Sequence, residues 1–88
     1  MNETFFWHPF AQMGQVKDNQ LVIARGEDVW VWDDQGNRYL DATASLWYSN
    51  VGHGRASIRA AVSKQMAELE AYSTFGHFSN QPVLDLTP

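Results

Sequence analysis

Few residues in this chain could do chemistry, and the three histidines come first, because imidazole ligates metals and moves protons near neutral pH. His8, His53 and His77 do not make a metal centre by spacing. No two stand at close ligand separation, and no neighbouring Cys or carboxylate completes a set, so no metal is expected. The chain has no cysteine, which removes disulfides, thiolate metal sites and a Cys nucleophile. Gly52-His53-Gly54-Arg55 precedes a helical pattern and has the outline of an anion-binding helix start, a weak signal by itself. His53, between two glycines, reads more simply as a turn residue beside that helix. Ten acidic against six basic residues give a net charge of −4 with no Lys/Arg cluster, so nucleic acid is not an expected partner. What remains is aromatic surface. With four Trp in 88 residues, a tryptophan such as Trp47 reads as core on residue type alone.

These side chains need elements to hold them. Residues 1–20 mix Phe5, Phe6, Trp7 and Phe10 with polar residues and lack periodicity, which predicts an extended arm with at most one helical turn. Leu21 to Arg25 reads as a strand ended by Gly26-Glu27-Asp28, and Val29 to Trp32 as a second strand. Val-Trp-Val-Trp places apolar groups on both faces of the pleat, which predicts burial on both sides or one face against a neighbouring subunit. Asp33-Asp34-Gln35-Gly36-Asn37 is the clearest turn, and it should close a hairpin onto a third strand, Arg38 to Ala42. The expected product is a small antiparallel meander over 21–42, followed by a loop over 43–55.

From about Ala56 to Ala71 the spacing of Ile58, Ala61, Val62, Met66 and Leu69 predicts an amphipathic helix with one packed face. Residues 72–79 read as an aromatic loop around Gly76. Asn80-Gln81-Pro82 then starts a second helix, with Asn80 as cap and Pro82 in the first turn. That helix stops at Pro88 after two turns at most, too short to stand without tertiary support. The N-terminus lacks the early positive charge and apolar core of a secretory signal, and no run approaches a membrane span. Both facts, with the absence of Cys, fit a cytoplasmic protein.

Read in order, the chain carries His8-Pro9-Phe10, the Gly26 turn into VWVWD, the DQGNRYLD hairpin at 34–41, SLWYSNVGHG at 45–54, the A-V-x-x-Q-M helix and YSTFGHFSNQP at 72–82. Six elements in this order resemble the N-terminal segment of the class III aminotransferases, pyridoxal-phosphate enzymes of fold type I that include the ω-amino-acid and amine:pyruvate transaminases. The resemblance covers every stretch of the chain. It implies an α/β enzyme, here α+β in the segment, that binds pyridoxal 5'-phosphate, works as a homodimer and moves an amino group from an amine or ω-amino acid to a keto acid such as pyruvate.

In the family a lysine holds the cofactor well downstream of this segment. Lys17 lies in a polar loop and Lys64 on the solvated helix face, so no catalytic residue is assigned and the 88 residues alone are expected to be inactive. The resemblance gives them a different part, one wall of the substrate pocket. Leu46 and Trp47 match positions that border substrate above the cofactor plane, Phe10 matches an aromatic that narrows the pocket, and Phe75 matches one that reaches towards the partner's site. Flanking Phe6, Trp7, Tyr72 and Phe78 compete for the parts of Phe10 and Phe75. Biotin-pathway diaminopelargonate transaminases, also class III, typically have His-Pro-Tyr and a Trp-Trp pair where this chain has Phe10 and Leu46-Trp47. These differences favour the amine and ω-amino-acid type, while Trp7 keeps the biotin-pathway enzyme as the alternative. A third reading, from another class, is a non-catalytic interaction module. The apolar arm and the VWVW strand have too little chain to cover them, which favours a fragment of a larger enzyme.

Overall fold

A computed structural model describes residues 4–88. It divides into two compact units, the first ending at Gly54 and the second beginning at Arg55. The first unit holds α1 (Met13–Val16), β1 (Ile23–Glu27), β2 (Trp30–Asp33), β3 (Arg38–Leu40) and a short kinked turn, α2 (Ala44–Trp47). The second holds α3 (Ala56–Glu68) and α4 (Gln81–Leu86).

The three strands form one antiparallel sheet in the order β1-β2-β3, the predicted meander. Its second turn is built by one side chain. The Asp33 carboxylate accepts from the backbone N–H of Gln35 at 2.9 Å and of Asn37 at 2.8 Å, from Asn37 Nδ2 at 3.1 Å and from the Tyr39 hydroxyl at 2.8 Å. Gly36 takes φ 85°, where a Cβ would be strained, so the turn closes with little distortion. Asp33 is 7% exposed and is the one buried polar residue among those described. Burial alone would push its carboxyl up; the bonds from Asn37, Tyr39 and Gln35 outweigh that and hold it below its ordinary value.

The first strand departs from expectation. It runs Ile23–Glu27 rather than 21–25, and Gly26, read as a strand breaker, pairs with Val31 inside the ladder. Glu27 pairs with Trp30 across a two-residue turn, with Asp28 at φ 54°. The register shifts between Ile23 and Arg25, a bulge that re-aims the strand start. Strand three is also shorter than predicted, 38–40, because the Asp41 carboxylate starts a new turn there.

Alternation along the pleat gives the sheet two unlike faces. On one, the Arg25 guanidinium stacks 3.7 Å from the Trp32 ring centre and that of Arg38 lies 4.1 Å from Trp30. Cation–π pairs of this kind cover indole surface while leaving the charge hydrated. Val31, Asp33 and Tyr39 share the other face. The expected two-sided burial of Val-Trp-Val-Trp is therefore not met within the chain: Val29 sits exposed in the turn, and Trp30, Val31 and Trp32 are only partly covered.

In the second unit α3 ends at Glu68, three residues short of the predicted limit, where Leu69 turns extended and its carbonyl takes a bond from Gln65 Nε2 at 2.9 Å. The predicted packed face of α3 is not packed, and Ile58, Val62 and Met66 all stay half exposed. Helix α4 starts as its sequence predicts: Asn80 Oδ1 accepts from Val83 N–H at 3.1 Å, and Pro82 sits in the first turn. No hydrophobic side chain is fully buried among the described residues.

Candidate functional site

Within the loop predicted over 43–55, residues 44–47 form a kinked turn hung from the Asp41 carboxylate. Both Asp41 oxygens accept the Ser45 N–H, at 3.0 and 2.8 Å, and Thr43 Oγ1 donates to Ser45 O at 3.0 Å. The bonds hold an unusual backbone. Ala44, Ser45 and Trp47 have φ of 50°, 62° and 70°, each sparsely populated for a residue with a Cβ. Such conformations cost on the order of 1–3 kcal/mol each and persist where surrounding contacts over-determine them.

Those contacts lead to His53. Its Nε2 lies 2.7 Å from Asp41 Oδ2, and a carboxylate there fixes a proton on that nitrogen, so Nε2–H donates and Nδ1 faces Ser49 Oγ at 3.5 Å. The bond from His53 is the largest influence on Asp41, and with the Ser45 N–H it holds the carboxyl below its ordinary value against the opposing effect of burial. His53 is itself seated by backbone. It exchanges two hydrogen bonds with Asp28, at 3.0 and 2.8 Å, and its ring fills the space a side chain at Gly26 would need, 2.8 Å from where that Cβ would stand. Gly52, at φ 86°, meets Asp28 O at 3.0 Å in the same way.

Together these groups border a concave surface of about 690 Å³ on the Val31–Tyr39 face of the sheet, lined by Leu21, Ile23, Tyr39, Asp41, Ser45 and His53 among others. The hollow is mostly apolar with a few convergent polar groups, the composition of small-molecule sites. It contains no amine that could hold a cofactor covalently. Lys17 and Lys64 are both exposed and neither lines it.

Of the residues expected to touch substrate, the three in the first unit, Leu46, Trp47 and Phe10, do not line this hollow. Leu46 and Trp47 stand side by side on the strained turn, 65% and 78% exposed. Phe10, at φ 52°, projects fully from the arm. Phe75 lies in the second unit, also exposed, on a turn where its N–H bonds Ser73 Oγ at 3.0 Å. Its competitors have other engagements, since Tyr72 and Phe78 pack edge to face with ring centres 5.8 Å apart and His77 stacks on Phe78 at 4.8 Å. Likewise Phe6 packs on His8 at 5.4 Å, leaving Phe10 the more open of the two. Sequence reasoning missed Asp41, Ser45 and Gly26. The usable signal was an Asp at a strand end followed by a His between glycines, but 12 residues separate Asp41 from His53.

Comparison with known proteins places this geometry. The family model described as aminotransferase class-III matches residues 12–88. The chain is 38% identical over 84 residues to the adenosylmethionine-8-amino-7-oxononanoate aminotransferase of Aquifex aeolicus, covering 94% of this chain and 18% of that protein. It is 39% identical over 79 residues to the putrescine–pyruvate aminotransferase of Pseudomonas aeruginosa, covering 89% and 17%. Among solved structures, a pyridoxal-phosphate-bound amine transaminase from an uncultivated Pseudomonas species superposes with a TM-score of 0.91 at 42% identity, over 97% of this chain and 19% of that one. The chain thus spans about a fifth of the length of the relatives it matches.

Proposed function

The chain belongs to the class III aminotransferases, and from that membership we propose that it is the N-terminal part of a pyridoxal-phosphate transaminase that passes an amino group from an amine or ω-amino acid to a keto acid such as pyruvate. The observation that carries this reading is the likeness to the amine transaminase, 42% identity with a TM-score of 0.91 over 97% of this chain. In this reading pyridoxal phosphate stabilises the negative charge that develops at the substrate carbon. The segment's own work is mechanical: Leu46, Trp47, Phe10 and Phe75 shape an apolar wall, exclude water and set which amines fit. A homodimer and a cytoplasmic setting belong to the same proposal, with Phe75 reaching the partner's site.

A second reading has specific support. The Aquifex aeolicus relative is as similar as the putrescine–pyruvate enzyme, at 38% against 39% identity and over more of the chain, which supports S-adenosylmethionine as the alternative amino donor. Phe10 and the Leu46-Trp47 pair favour the amine type, because both make the wall less polar or less bulky than His-Pro-Tyr with Trp-Trp. Assaying the full-length enzyme with an amine plus pyruvate, against S-adenosylmethionine plus 8-amino-7-oxononanoate, separates the two. Alanine formation is expected in the first assay; turnover in the second alone would reassign the substrate.

A further inference from the structure

Nothing about Leu46 and Trp47 themselves explains where they stand. They are exposed, and the backbone beneath them is held in an uncommon conformation, with Ala44 at φ 50°, Ser45 at φ 62° and Trp47 at φ 70°. A turn of this kind relaxes unless something outside it fixes the geometry. A charged group bonded to it is Asp41, whose two oxygens share the Ser45 N–H. Asp41 is in turn fixed by His53 at 2.7 Å, and His53 by the paired backbone bonds to Asp28 and by the absence of a side chain at Gly26. A continuous line of contacts therefore runs from the first hairpin to the turn.

We propose that Asp41 and His53 are positioning residues for substrate selection: through Ser45 they set the height of the Leu46–Trp47 wall, and so the size of amine the site admits. This rests on the transaminase reading for its substrate and on the geometry alone for the positioning. Neither side chain takes part in bond making. A Ser49–His53–Asp41 hydrolytic relay fits less well, because Ser49 Oγ is 3.5 Å from the ring and the Asp41 carboxylate is shared with the Ser45 amide.

Two readouts test the proposal in the full-length holoenzyme, one of them independent of turnover. The first is the ¹⁹F resonance of Trp47 in protein labelled with 5-fluorotryptophan, assigned with Trp47→Phe. The second is the ratio of kcat/KM for a bulky aryl amine to that for a short aliphatic amine. Asp41→Ala should shift or broaden the Trp47 resonance and change the ratio about tenfold, mainly through KM, since a small misplacement of a positioning group has effects of that order or larger. The visible absorption of the bound cofactor should be unchanged. Asp41→Asn keeps one acceptor for Ser45 N–H and should recover most of both readouts, whereas Gly26→Ala, which displaces His53, should reproduce the Asp41→Ala result. Should Asp41→Ala fail to fold, the Asn and Gly26 variants decide by the same measurements. A folded Asp41→Ala or Gly26→Ala protein with the wild-type Trp47 resonance and the wild-type ratio overturns the proposal. If the wild-type protein turns over no amine, the transaminase reading fails and the ¹⁹F result still decides the positioning.

Discussion

Two carboxylates do most of the local organising, and both are held ionised. Asp33 gathers the second hairpin turn and Asp41 the turn under Leu46 and Trp47. Each has its folded-state value lowered from 3.8, so each stabilises its turn fully above that pH and loses the contribution as pH falls through the lowered value. Amide exchange at Gln35, Asn37 and Ser45, corrected for the intrinsic pH dependence, should therefore be slow at neutral pH and quicken below about pH 4. Tyr39 has the opposite sign. Its bond to Asp33 raises it above 10.0, so its contribution is complete below that pH and is lost as pH rises through the raised value. Exchange at Gln35 and Asn37 should thus quicken again in strong alkali while Ser45, which has no tie to Tyr39, shows no such second step.

At the scale of elements, stability is uneven because local chemistry serves some segments better than others. Helix α4 has six residues and depends on its cap, so Asn80→Ala should weaken it by about 1 kcal/mol, read as faster exchange at Val83 and Leu84. Gly26→Ala should be costlier, on the order of 1–3 kcal/mol, because the new methyl meets the His53 ring rather than open space, a change visible in the denaturation midpoint. These two positions also mark what the sequence could reveal. The Asn80 cap and the Asp33 turn were legible because their bonds close within a few residues, where residue type alone dictates geometry. Gly26 was misread as a breaker, and the contacts that order residues 44–47 within the 43–55 loop went unseen, because the cause of each is a contact from a distant part of the chain. The partly bare face of α3 was equally hidden: periodicity shows that a helix has an apolar face but not what covers it.

At the scale of the whole molecule, the described residues leave many large apolar side chains exposed. Among the described residues no hydrophobic side chain is fully buried, and the chain spans about a fifth of its relatives' length. The central proposal is that this chain is part of a pyridoxal-phosphate transaminase and that its residues supply one wall of the substrate pocket. The most direct test is the visible absorption of the full-length protein with pyridoxal phosphate, followed as an amine donor and then pyruvate are added. The account predicts a band that bleaches with the amine, returns with pyruvate, and loses its selectivity between bulky and small amines in Trp47→Ala. A full-length protein that acquires no such band, or whose band ignores both substrates, would contradict it.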